Sequence, residues 1–516
     1  MKQHPLCTDT EQCLDVMDLA VPPELKREWA ALQTRRHFLG RTGKVLGWAA
    51  MASLFGDRAL RGDAHAPANG LPGMQAGEQL KLPHFAPKAK RAIYLFMSGG
   101  PSQVDLLDYK PNLAALYDKD IPDSVRGAQQ LTGMTAGQAR FPVAPSHWAF
   151  KRYGQTGTWI SDLLPYTARM VDDLAIIKST NTEAINHEPA IMLMNTGNMN
   201  AGKPCLGSWL AYGLGSMNDN LPTFMVLQSK LNTKENNQPV SSRLWSSGFL
   251  SSEYAGVGLR SAGDPVLYLT DPGGVDREVR RNMLNAVNEI NRQTFEELGD
   301  PETHARIAQY EMAYRMQTSV PELADLSKEP QSTWDLYGPE AKEPGTFAYN
   351  CLMARRMAER GVRFTQVYKR GWDMHDNVTG ILPVICQETD RGCYALVTDL
   401  KQRGLLDDTL VVWAGEFGRT VYSQGGLTKD NYGRDHHPRC YTTWMTGGGV
   451  RTGITYGETD DYSYNVVKDP VTVRDFNATI LHCLGIDHNK LTYKFQGLDQ
   501  KLTGPVPASV VPGLLA

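Results

Sequence analysis

The amino-acid sequence predicts an α/β fold with a mostly parallel central sheet and helices on both faces. Three observations carry this expectation. Short runs that are apolar on both faces, rich in β-branched and aromatic residues, recur along the chain, as the central strands of parallel sheets do. Stretches with helical apolar spacing stand between them. The 48 glycines of the 516 residues fall largely in short turns between apolar runs, with no low-complexity tract and no internal repeat, so the chain reads as many connected elements rather than as disorder. Alternating strand and helix argues for a sheet covered on both sides.

Residues 1–66 read as a twin-arginine export region. Arg35-Arg36 precede the short, weakly apolar stretch Val45 to Phe55, and Ala64-His65-Ala66 has the small-x-small pattern of a cleavage site, placing a mature start at Pro67. The competing reading is a buried amphipathic helix with two surface arginines. The order of motif, apolar run and cleavage pattern favours export, although the segment before Arg35 is long and partly acidic. Export makes the twin-arginine translocase a partner and the periplasm or the extracellular space the destination. Residues 67–90, rich in Pro, Gly, Ala and Lys, read as a linker. The remainder, 91–516, reads as one α/β domain. Past Phe55 no stretch reaches the roughly 20 apolar residues of a membrane span, so the mature chain is expected to have no transmembrane segment.

The domain opens with Arg91 to Met97, apolar throughout and ending at Ser98-Gly99-Gly100-Pro101, a turn into a helix. Leu174 to Lys178 predicts a second strand, followed by a polar loop and a helix from Glu188. Thr223 to Leu227 predicts a third strand, and 228–262, rich in Ser, Asn and Gly, a long loop. Helices are predicted over 276–297 and 346–361, the second leading through Gly361 into the strand-like RFTQVY. A helix is predicted over 383–403, then strands at Thr409 to Trp413 and Cys440 to Thr446, and a final helix over 469–484 opened by Asp469 before Pro470.

A net charge of −3 provides no basic field, which argues against nucleic acid as a partner. Of the eight cysteines, Cys7 and Cys13 would leave with the signal. The other six form no CxxC pair, so a thiolate zinc site is not expected, and their spacing assigns no disulfide.

In doubly covered sheets ligands bind beyond the carboxyl ends of the strands. Three such ends carry metal-binding residue types: Lys369 through Asp376, with Asp373 and His375 two apart; Glu416 through Thr420; and Gly433 through Pro438, with His436 and His437. Imidazoles together with carboxylates suit zinc, manganese or iron. A fourth fragment, from Asn186 to Ala190, puts His187 at the entrance of a helix, where backbone N–H groups favour anions.

The stretches YLFMSGGPSQVDLLDYKP, NHEPAIMLMNTG, GWDMH, VVWAGEFGRT and GRDHHPRC resemble the domain of unknown function 1501 family, within the alkaline phosphatase and sulfatase superfamily. The resemblance covers nearly all of the chain after the linker and implies an alkaline-phosphatase-like core. In the superfamily a nucleophile stands ten residues before the Gly of a Thr-Gly pair. His187 holds that place relative to Gly197. Asp373 and His375 resemble a paired metal-binding motif, Glu416 stands for a metal-binding Asp, Phe417 replaces a ligand, and His436 or His437 answers a final His. Ser98 and Gly99 occupy the place of an early metal-binding Asp, with Asp105 shortly after, and Gln103 stands where relatives often carry His.

Three kinds of chemistry are compatible with these departures. A metal-activated water could attack an ester. His187 could itself be the nucleophile. Ser102 could take that role, although a helix N-cap suits it better. Arg419, Arg434 and Lys369 are candidates to hold an ester anion. The expectation is therefore an exported, metal-dependent hydrolase of sulfate or phosphate esters, small or glycan-borne, using a divalent ion such as zinc or manganese. Its metal site would draw on Asp373, His375, Glu416, His436, His437 and Asp105. The alternative is a non-catalytic glycan- or protein-binding chain that kept the fold and lost the nucleophile.

Overall fold

A computed structural model describes residues 82–231, 240–260, 275–298 and 301–516 of the protein. The segment 1–66, read as an export region, and the part of the expected linker up to residue 81 lie outside the described residues. The strands that matter for the site are β1 (Arg91–Met97), β2 (Ala175–Asn181), β3 (Phe224–Gln228), β4 (Val257–Leu259), β5 (Phe364–Lys369), β6 (Thr409–Ala414), β7 (Gly418–Gln424), β8 (Gly433–His437), β9 (Tyr441–Gly447), β10 (Ile454–Tyr456) and β11 (Val471–Thr472). Among the described residues nine of these form one sheet, in the order β10-β2-β9-β6-β1-β5-β3-β4, with β11 also pairing β2. Every neighbouring pair is parallel except those made by β9, which runs antiparallel to both β2 and β6. The connection explains the exception. β6 leaves the sheet at its carboxyl edge, the antiparallel ribbon β7–β8 stands there, and the chain re-enters from the same edge, so β9 must run the other way.

The helices are α1 (His187–Thr196), α2 (Leu206–Leu214), α3 (Arg277–Leu298), α4 (Pro301–Ala324), α5 (Gln331–Tyr337), α6 (Phe347–Glu359), α7 (Val378–Gln402) and α8 (Val473–Cys483). Alternate residues of the strands face opposite layers, as the pleat requires. Ile93, Leu95 and Met97 of β1 pack with Val411, Val367 and the apolar faces of α6 and α7. Ala92, Tyr94 and Phe96 pack with Val412, Ile177 and the inner faces of α1, α2 and α8. All six are essentially without solvent contact. Each large apolar side chain buried this way contributes about 1.5–3 kcal/mol, which is why the strand reads as continuous apolar sequence. Helices on both faces of a mostly parallel sheet are the predicted fold class.

Several boundaries differ from expectation. The last helix does not open at Asp469. The chain first pairs β11 with β2, and Thr472 then caps α8, its hydroxyl accepting from the Asp475 N–H while the Asp475 carboxylate accepts from the Thr472 N–H. α7 begins at Val378, five residues before Pro383, which sits inside it. The expected loop 228–262 contains the short strand β4 among its described parts. α2, α4 and α5 had no counterpart in the sequence reading. The six cysteines Cys205, Cys351, Cys386, Cys393, Cys440 and Cys483 are all buried thiols, outside any disulfide.

Candidate metal centre

Segments leaving the carboxyl edge of the sheet converge on one point. The chain beyond β2 reaches Asn186 and starts α1 at His187. The turn after β5 carries Asp373 and His375, and His436 comes from within the strand β8. Gly99, in the turn after β1, has φ +121°, and a Cβ there would stand 2.5 Å from the backbone N of Asp373, so only glycine lets the two turns approach.

The centre of the cluster is Asp373 Oδ1. It lies 2.8 Å from His375 Nε2, 3.2 Å from His187 Nε2 and 3.4 Å from His436 Nε2. His375 Nε2 and His436 Nε2 are 3.1 Å apart. The four ligand atoms all lie within 4.8 Å of one another. An ion bound tetrahedrally at about 2.0–2.1 Å would space its ligand atoms about 3.3 Å apart, so most of these separations match.

The second nitrogen of each ring explains why the first is available. His187 Nδ1 lies 2.6 Å from the Glu416 carboxylate, His375 Nδ1 2.6 Å from Gln424 Oε1, and His436 Nδ1 2.8 Å from the Ile185 carbonyl. All three partners are acceptors, so each Nδ1–H donates and each Nε2 presents a lone pair to the cluster. Three lone pairs facing a carboxylate oxygen repel one another unless a cation or a proton lies between them. The Nε2 of His187 is moreover buried without a hydrogen bond. The residues present thus fit a divalent ion, and three imidazoles with one carboxylate favour zinc, manganese or iron over calcium or magnesium, which prefer all-oxygen sites.

Burial alone would raise the Asp373 carboxyl, but the Arg419 guanidinium and the adjacent imidazoles of His187, His375 and His436 hold it far below the ordinary carboxylate range. Burial would lower His187, yet Asp373 and Glu416 raise it above its ordinary value. Burial pushes His436 down to about 4, against the pull of Asp373. Phe417 packs against His187 and His436, with ring centroids 4.8 and 4.5 Å away, and closes the inner side. His375, 20% exposed in its side chain, and His187, 11% exposed, form the open side.

The other sequence-predicted residues are placed differently. Glu416 is wholly buried and orients His187 instead of joining the four ligand atoms, and it also accepts from the Gly99 N–H at 2.9 and 3.2 Å. Asp105 lies elsewhere, in a buried pair with Arg434 at 2.7 and 2.9 Å, and also accepts from Tyr432 and from Ser102 Oγ. Ser102 is thereby tied to Asp105 and not to the cluster. Arg434 spends further N–H groups on the carbonyls of Thr420 and Ala144. Lys369 is buried against Glu388 and the Lys230 carbonyl. His437 points away from its neighbour His436, toward the Tyr464 carbonyl and Gln129, with its pKa lowered to about 4 by burial.

Arg419 touches the cluster, but as a builder. Its guanidinium donates to the carbonyls of Gly99, Gly100 and Arg434 and, at 2.5 Å, to Asp373 Oδ1. None of the three predicted anion-holding cations is therefore placed to clasp an ester, because each neutralises or satisfies a buried acceptor of the fold. The reading had also passed over Gln424 and the Ile185 carbonyl. A backbone carbonyl leaves no trace in residue identity, and a single Gln on a strand looks like any polar position.

The sequence matches, over residues 89–515, the family described as Protein of unknown function (DUF1501). No curated protein matches the chain. Solved structures with similarity include a protein in the alkaline phosphatase superfamily from Vibrio parahaemolyticus, at TM-score 0.33 and 10% identity over 79% of this chain and 70% of that one. A sulfatase from Pseudoalteromonas sp. aligns at TM-score 0.31 and 11% identity over 81% and 71% of the two chains. A phosphonate monoester hydrolase from Silicibacter pomeroyi aligns at TM-score 0.28 and 11% identity over 77% and 73%.

Proposed function

This chain belongs to the DUF1501 family, and on that premise we propose that it is a metal-dependent hydrolase of sulfate or phosphate esters acting outside the cytoplasm. The observation that carries the reading is the convergence of three Nε2 lone pairs on Asp373 Oδ1, each fixed by an acceptor on its own Nδ1. His187, Asp373, His375 and His436 would hold the ion, and zinc, manganese or iron there would supply Lewis-acid chemistry toward an ester oxygen. Glu416, Gln424 and the Ile185 carbonyl hold the tautomers. Arg419 offsets the charge of Asp373, and Phe417 keeps water from the inner side. The start of α1 faces the cluster, so its first N–H groups and dipole favour an anionic substrate group. With Nδ1 on Glu416 and Nε2 in the cluster, His187 acts as a ligand and not as the attacking group.

Export through the twin-arginine translocase, with a glycan-borne or small ester as substrate, completes the proposal. Its support is the order of Arg35-Arg36, apolar run and Ala64-His65-Ala66 in the sequence. No helix of the described residues is long and apolar enough to cross a membrane.

Elemental analysis of the purified chain beside a His375→Ala/His436→Ala variant tests the ion, and turnover of a generic aryl sulfate and aryl phosphate tests the reaction. Stoichiometric metal that vanishes in the variant, with turnover abolished by EDTA, is expected. Turnover that survives both full chelation and His375→Ala overturns the metal mechanism.

One observation favours a second reading, a binding protein without turnover: Arg419, Arg434 and Lys369 are all committed to internal partners. Glycan binding with a full complement of metal, and no hydrolysis across aryl sulfates and phosphates, would select it.

A further inference from the structure

Gln103 touches none of the four ligand residues, yet it grips the residue that arranges two of them. It begins the short helical turn Gln103–Leu106 just beyond the β1 turn and is 2% exposed. Its amide oxygen accepts from the Arg419 N–H at 2.9 Å, and its amide nitrogen donates to the carbonyls of Arg419 at 2.8 Å and Ser463 at 3.2 Å. One side chain thus takes both backbone hydrogen-bonding groups of Arg419. The close approach is possible because residue 418 is glycine, where any side chain would meet the Gln103 amide oxygen.

Two consequences follow for the cluster. The Arg419 guanidinium is bonded to Asp373 Oδ1, so its backbone position sets where that oxygen points. His436 stands opposite Arg419 in the β7–β8 ribbon, beside the register shift that separates it from Arg434, so the same backbone position sets where that imidazole enters. The guanidinium is also held by the carbonyls of Gly99 and Gly100, in the turn that delivers Gln103. Arg419 is therefore held at both ends by one short segment, through its backbone by Gln103 and through its side chain by the two glycines.

We propose that Gln103 is a positioning residue of the metal centre, which fixes the geometry of Asp373 and His436 through Arg419. The proposal rests on the metal reading given above. Removing an outer partner of a metal ligand typically weakens ion binding by about 10- to 100-fold, and the effect expected here is at the lower end because Gln103 acts through an intermediary.

The test compares the wild type with Gln103→Met, which keeps the volume and removes all three bonds, and Gln103→Glu, which keeps the acceptor for the Arg419 N–H and loses both donors. Thr346→Ala, which removes the hydroxyl capping α6 away from the cluster, serves as a control for general loss of stability. Zinc affinity is read by competition with a chelating dye, and ligand geometry by the visible absorption of the cobalt-substituted protein. Gln103→Met is expected to bind zinc about tenfold more weakly and to shift the cobalt bands, Gln103→Glu to do so at least as much because its second oxygen faces the carbonyls of Arg419 and Ser463, and Thr346→Ala to be unchanged in both readouts. Zinc affinity within about twofold of the wild type and an unaltered cobalt spectrum in Gln103→Met overturns the proposal. If Gln103→Met does not fold, Gln103→Glu decides on the same two readouts. A wild type that binds neither zinc nor cobalt overturns the metal reading itself.

Discussion

Glu416 Oε1 sits 2.6 Å from His187 Nδ1, and the same carboxylate takes the Gly99 N–H with both oxygens. A residue at a strand end, suited by type to bind a metal, thus serves to fix the tautomer and tilt of a ring in the cluster. It also joins the turns after β1 and β6 to the start of α1.

Replacing Glu416 by Gln keeps the shape and an acceptor but removes the charge. The expected result is a folded protein with ion affinity lowered by about 10- to 100-fold, measured by chelator competition. Unchanged affinity would remove Glu416 from any part in orienting His187.

The ion should stabilise the fold selectively. At 100 times its dissociation constant a bound ion adds about 2.7 kcal/mol, visible as a rise in melting temperature. Zinc or manganese should produce this rise and EDTA should reverse it, while calcium and magnesium should do little. Equal shifts from all four ions would mean that the three imidazoles are not ligands.

Asp105 and Arg434 test the difference between a structural pair and a metal ligand. Both side chains are essentially without solvent contact, so Asp105→Ala strands a buried guanidinium. The expected loss is about 3–5 kcal/mol of unfolding free energy by urea titration. The protein that remains folded should retain its full metal content. Loss of metal in folded protein would return Asp105 to the site.

The buried carboxyl of Asp390 supplies a pH signature independent of the metal. Burial raises its pKa to about 6 despite the hydrogen bonds it accepts from Thr167 and Tyr166. Between its unfolded and folded pKa values the folded state holds the proton more tightly. This stabilising contribution is therefore complete below about pH 4 and is lost as pH rises through about 6, an amount on the order of 3 kcal/mol. Asp390→Asn should flatten that part of the stability profile in denaturant titrations from pH 4 to 7. A profile identical to that of the wild type would show that Asp390 titrates normally.

The legible part of the architecture was its buried part. Arg91 to Met97 and Thr409 to Trp413 read as central strands because, from Ala92 on in the first and throughout the second, the residues are buried on both faces. The rule that ligands gather at carboxyl ends brought Asp373, His375 and His436 into one view, and His187 joined them as the residue at a helix entrance. The direction of β9 was not legible, since an apolar run looks the same in either sense. Nor was the helix α4, which follows α3 without a clear apolar stripe of its own. Asp469 before Pro470 resembles a cap, but Thr472 and Asp475, three residues apart in the pattern of a capping box, hold the signal. The roles of Arg419, Arg434 and Lys369 were hidden for a different reason. A sequence shows that a charge exists but not which distant carboxylate or carbonyl neutralises it.

The four residues of the cluster come from three segments far apart in the chain, the start of α1, the turn after β5 and the strand β8, and the last of them, His436, enters only once the β7–β8 ribbon has formed. No fragment of the chain can assemble this set, so an ion held by it would be captured only after the long-range pairing of the sheet. A chain that crosses a membrane already folded would carry, among the ions that fit its site, the one its place of folding offered. For such a protein, metal identity records the metal supply of the compartment of synthesis, whatever ions surround it at its destination.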